Sequence, residues 1–179
     1  MHKRLGLGVC LAFLMLAVAR PSEAAKPEDV FKGKIIITKN RLPMHFSSQG
    51  AFISALQKGK IDKIWPSEEK GETGKWNIEY IAFFAQPLDD SEIQVKFYDI
   101  TDGEKRYVAG DPQYTHDRNS RVFVSSIQLD KPAFDVRKHY LMTLESRSHV
   151  IASTQFWLLG KGANYSGKVE FSDEETKAK

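Results

Sequence analysis

From Trp76 onward the chain alternates apolar and polar residues with a period of two, the pattern of strands that bury one face. Trp76–Phe84 places Trp76, Ile78, Tyr80, Ala82 and Phe84 on one side. Ile93-Gln94-Val95-Lys96-Phe97-Tyr98 does the same for Ile93, Val95 and Phe97. Asp102-Gly103 supplies a hairpin turn, because both residues tolerate a left-handed backbone, and Arg106–Ala109 returns. Arg121–Leu129 reads as another strand, bulged at Ser125-Ser126, and Tyr140–Ser146 with Val150–Leu159 as a last hairpin. Lys34–Thr38, β-branched after Gly33, adds a strand near the start. One segment departs from the two-residue period. Ser48–Gly59 reads as a short helix, with Ser48 capping its first amides, Gly59 ending it in a left-handed turn, and Ala51, Phe52, Ala55 and Leu56 on one face. Phe52 and Ile53 are also compatible with a strand.

The pattern predicts an all-β chain: an antiparallel sandwich of seven or eight strands with one short N-terminal helix insert. Residues 30–160 form the domain. Lys26–Asp29 reads as a loose polar lead-in and 161–179 as a flexible charged tail. Asn164-Tyr165-Ser166 in that tail fits a glycosylation acceptor triplet.

The C-terminal half resembles a known fold. Leu129-Asp130, Phe134, Tyr140–Leu144 and Val150–Phe156 look like the last three strands of an immunoglobulin-like or fibronectin type III-like sandwich. Tyr140 resembles the tyrosine of a tyrosine corner, which implies that its hydroxyl meets a backbone group in the Phe134–Arg137 turn. The resemblance implies a fold and no particular function.

Export is legible in the first residues. His2, Lys3 and Arg4 precede the unbroken apolar run Val9–Ala19, and small residues lead to a cut near Ala24, so residues 1–24 read as a signal peptide. The run is too short to span a bilayer, and no spanning run follows, so no transmembrane anchor is expected. The expected location is periplasmic or extracellular. Cys10, the single cysteine, falls inside the leader, so no disulfide and no cysteine chemistry are expected of the exported chain. Removing Lys3, Arg4, Arg20 and Glu23 with the leader lowers the net charge from +3 to nearly neutral, which offers no electrostatic case for nucleic acid.

No arrangement of side chains points to catalysis or to a cofactor, and the chain is read as a non-enzyme with no metal. His139 and His149 should lie at opposite ends of one hairpin, too far apart to share an ion, and His45 and His116 sit in separate loops. Asp99–Glu104 has a faint calcium-loop look but is fully explained as a turn. What remains is surplus apolar surface. If Ala82 and Phe84 point in, Ile81 and Phe83 point out; if Phe156 and Leu158 point in, Trp157 and Leu159 point out. Such faces meet either the helix, where Phe52 and Leu56 need burial, or another protein. Trp65, Ile81, Phe83, Trp157 and Leu159 are therefore the candidate partner-binding residues. The expected role is a binding or structural module of a bacterial cell envelope that contacts another envelope protein, alone or as a subunit of an assembly. The alternative is a carbohydrate- or peptidoglycan-binding module that stacks sugars on Trp65 and nearby tyrosines.

Overall fold

The computed structural model describes residues 25–41, 43, 45–67 and 74–160. The leader and the tail named above lie outside them, as does the Asn164 triplet. Ten elements follow in order: α1 (Pro27–Val30), β1 (Lys34–Thr38), α2 (Gln49–Gly59), β2 (Lys63–Ile64), β3 (Lys75–Phe83), β4 (Glu92–Asp99), β5 (Arg106–Tyr114), β6 (Val122–Asp130), β7 (Lys138–Ser146) and β8 (His149–Leu158). The strands pair in the order β5-β4-β7-β8-β1-β3-β6, with β2 added to β8. This is an immunoglobulin-like sandwich. One layer is β5-β4-β7-β8, the other β3-β6, and β1 joins them.

The joint makes the sheet mixed rather than purely antiparallel. β1 runs antiparallel to β3 over its whole length but parallel to β8, at Lys34↔Ser153. β2 is also parallel to β8. The alternating residues fill the space between the layers as their period requires: Trp76, Ile78, Tyr80, Ala82 and Phe84 meet Ile93, Val95, Phe97, Met142, Leu144 and Phe156. Trp76 is wholly buried, and its indole Nε1–H donates to the Leu159 carbonyl at 3.0 Å, fastening β3 to the end of β8. Tyr140 forms the corner that the resemblance implies. Its hydroxyl accepts the Asp135 amide at 2.9 Å, and its ring packs on Phe134 and Phe156.

Several local expectations need correction. Lys26–Asp29 is not loose: it enters α1, where Arg121 Nη2 donates to the Glu28 carbonyl and to Asp29 Oδ1. Ser48 caps α2 through the Ala51 amide at 3.1 Å, as expected, but Gly59 stays helical and the helix ends at an extended Lys60. β6 carries no bulge, because its register with β3 is unbroken from Lys75↔Asp130 to Phe83↔Val122. The offsets fall instead at Phe97/Tyr98 and Leu144/Glu145. The Asp102-Gly103 turn is present, but only Gly103 has positive φ, and a bond from its amide to the Ile100 carbonyl closes the turn.

Candidate functional site

The five candidate residues do not form one surface. Ile81 and Phe83 do point away from the sandwich interior, and the chain itself covers them. α2 and α1 pack on that face through Leu56, Phe52, Ile53 and Phe31, with the Phe31 and Phe83 rings 5.2 Å apart. Of the two covers weighed above, the helix is the one in place. Leu159 is buried because the alternation stops with β8 at Leu158. Beyond it, the Leu159 amide donates to the Ile64 carbonyl and its own carbonyl holds Trp76. Trp157 is 37% exposed and lies face to face with His139, with ring centroids 4.5 Å apart. Trp65 is 51% exposed just after β2. Tyr107 and Tyr114 are also exposed, at opposite ends of β5. These aromatics sit on different elements and form no row.

His139 and His149 sit at opposite ends of the β7–β8 hairpin, as Ser146↔His149 and His139↔Trp157 pair. Among the described residues, no group of three His, Cys, Asp or Glu side chains could hold a metal ion, and no helix is long and apolar enough to cross a membrane. The outer face of β4 and β7 holds one dense polar cluster. Glu145 Oε2 takes Lys96 Nζ at 2.6 Å, and Oε1 takes the Thr143 and Tyr98 hydroxyls at 3.3 and 3.4 Å. Burial alone would raise the Glu145 pKa; the Lys96 ammonium and the two hydroxyls outweigh it and lower it. Every charge in that cluster is matched within it.

The feature that periodicity did not single out is the far side of the second layer. β6 is the terminal strand there, nine residues long and evenly paired with β3. Val122–Leu129 contains no charge and no proline. The other terminal strand, β5, is guarded in the ways edges usually are: Arg106 at its start, Asp111 within it, and Pro112, which has no N–H. β6 has none of these between its ends.

The direction of each β6 amide follows from two bonds at its ends. The Phe84 amide donates to the Arg121 carbonyl, and the Lys131 amide to the Gly74 carbonyl. In an antiparallel pair, bonded positions alternate. Residues 123, 125, 127 and 129 therefore turn their backbone groups to β3, and residues 122, 124, 126, 128 and 130 turn theirs outward. The two ends of that outward row are already engaged. The Ser120 hydroxyl donates to the Val122 carbonyl and accepts the Val122 amide; the Asp130 carbonyl accepts the Phe134 amide. Val124, Ser126 and Gln128 are left, all with exposed side chains, and among the described residues no partner is seen for their backbone groups.

Two hollows flank this edge. Between β6 and β5 lies a groove of about 390 Å³ lined by Ala109, Asp111, Ile127, Leu129 and Phe134, closed on one side where Ser125 Oγ donates to Gln113 Oε1 at 2.8 Å. Nearby, the Tyr80 hydroxyl is buried with no hydrogen bond among the described residues. Burial, aided by the Asp111 charge and opposed by Ser125, pushes its pKa up to about 12. On the outer face, a cavity of about 550 Å³ lies between the sheet and the start of α2, walled by Phe46, Phe52, Ile81 and Val124, with Arg41 and Glu79 at its rim. Val124, 60% exposed, thus continues an apolar surface onto the edge.

No family model matches the chain, and no curated protein matches it. Among solved structures, an immunoglobulin-like protein (PA1606) from Pseudomonas aeruginosa is similar at 9% identity and a TM-score of 0.37, covering 70% of this chain and 89% of its own. The sensor domain of the anti-sigma factor RsgI4 in Pseudobacteroides cellulosolvens is similar at 11% identity and a TM-score of 0.34, covering 62% and 83%. These likenesses are faint; the strand order and the Tyr140 corner carry the assignment to the immunoglobulin-like class.

Proposed function

We propose that this chain is an exported, non-catalytic module of the bacterial cell envelope that works by protein–protein contact, and that β6 is its contact edge. The observation that carries the reading is the bare row at Val124, Ser126 and Gln128 on a long strand that has no charge and no proline from Val122 to Leu129. Backbone amides on such an edge are a template for an added strand: main-chain bonds supply affinity, and alternate side chains supply selectivity. The leader-like first residues support export. The scatter of Trp65, Trp157, Tyr107 and Tyr114 gives no support to a sugar-stacking platform.

A photo-crosslinking side chain at Gln128, on β6, should capture a protein partner in producing cells, whereas the same group at exposed Tyr107, on β5, should not. Equal capture from both positions, or none from Gln128, overturns the reading.

A further inference from the structure

The partner that best fits this edge is a second copy of the same strand; this rests on the reading of β6 as the contact edge. We infer that two chains join β6 to β6, antiparallel, about a two-fold axis beside Ser126.

Three observations support self-pairing, and the first sets its register. First, the free row is bounded by the Ser120 hydroxyl at Val122 and the Phe134 amide at Asp130. What remains is symmetric about Ser126. Turned on itself, it sets Val124 against Gln128 of the second copy, Ser126 against Ser126, and Gln128 against Val124. All three positions send both backbone groups outward, so all three pairs are of the narrow type that exchanges two bonds. Second, Val122–Leu129 carries no charge, so the three self-pairs place no like charges opposite each other. Third, β3 and β6 pair evenly with no bulge to twist the edge away, so the added strand continues a regular sheet. Two Ser126 hydroxyls meet at the axis and can bond to each other, and Val124, otherwise exposed beside the Phe46–Phe52 cavity, gains the methylenes of Gln128 as cover. A face that meets its own copy closes as a dimer and does not propagate into fibres.

Sedimentation of the purified full chain tests this, with mass followed across about 1 µM to 1 mM, the range of a small, weak interface. The expected result is a rise from the mass of one chain toward that of two. The double change Val124→Lys with Gln128→Lys sets two ammonium groups opposite each other, twice per dimer, and should weaken association about tenfold. Val124→Lys with Gln128→Glu sets opposite charges there and should restore it. Ser126→Pro removes one outward N–H and leaves the β3 pairing intact, so it should give a folded monomer. Association indifferent to these changes places the interface elsewhere and overturns the inference. A monomer at every concentration also overturns it. In that case, capture of a different protein from Gln128 would leave β6 as a contact edge with another occupant, and no capture would remove both readings.

Discussion

Proline placed at two adjacent positions of β6 should have opposite consequences for folding. The Ser125 amide points to β3, opposite Tyr80, and the Ser126 amide points to the free edge. Ser125→Pro deletes a ladder bond, leaves the Tyr80 carbonyl buried without its donor, and forces the ring toward β3. The orphaned acceptor costs ~1–3 kcal/mol and the lost bond about 1 kcal/mol more, before any steric term. A total of ~3 kcal/mol or more is expected, a large share of the ~5–15 kcal/mol that holds a domain together. Ser126→Pro loses no intramolecular bond. Its ring occupies the side where proline is tolerated in edge strands, and the stiffer unfolded chain offsets about 0.5 kcal/mol, so the net change should lie within ~1 kcal/mol. Urea unfolding followed by tryptophan fluorescence reads both, at protein concentrations too low for association. Equal losses, or a larger loss at Ser126, would show that the amide alternation read from Phe84 and Arg121 is wrong, and with it the row of free groups at residues 124–128.

Other elements make separate predictions. Leu56→Ala removes the one fully buried side chain of α2 and should cost ~2–5 kcal/mol in urea unfolding, with a rise in binding of an apolar dye over Ile81 and Phe83; a loss under about 1 kcal/mol would mean that the helix does not seal that face. The turn between β7 and β8 holds Arg147 at φ 48° and Ser148 at φ 66°, so Ser148→Gly should relieve ~0.5–1 kcal/mol of left-handed strain and raise Tm by about 1–4 °C in calorimetry. Burial alone would raise the Asp99 pKa, but the Thr101 hydroxyl and amide and Lys138 outweigh it and bring it to about 2, from 3.8. A depressed carboxyl stabilises the folded state above the unfolded pKa. That contribution, ~1–2 kcal/mol, should therefore be whole above about pH 4 and fade as pH falls toward 2, and Asp99→Asn should flatten this stretch of the stability profile.

The sandwich was readable because each main strand carries its own inward set. β3, β4, β7 and β8 needed only local alternation, and Tyr140 marked the corner. What local pattern could not convey is who sits beside whom. β1 was recognised as a strand, but nothing in Ile35-Ile36-Ile37 names β8 as a parallel neighbour; its three consecutive isoleucines do carry one hint, since a strand without a polar face is covered on both sides. Alternation alone turns Ile81 and Phe83 outward, but it does not say whether α2 or another protein covers them. Alternation points Leu159 outward, but β8 ends at Leu158, and contacts with Ile64 and Trp76 bury the next residue. The β7–β8 turn held its strain in Arg and Ser rather than Asn or Gly. β6 was seen as a strand, but its terminal position depends on the pairing order of the whole sheet. The missing charges between Arg121 and Asp130 were the visible sign.

The seam at β1 sets a timetable for maturation. Lys34 is made more than a hundred residues before its parallel neighbour Ser153, so no nascent or truncated chain lacking β8 can close the molecule. Until then Ile35 and Ile37 lack half their surroundings, and the two layers stay unjoined.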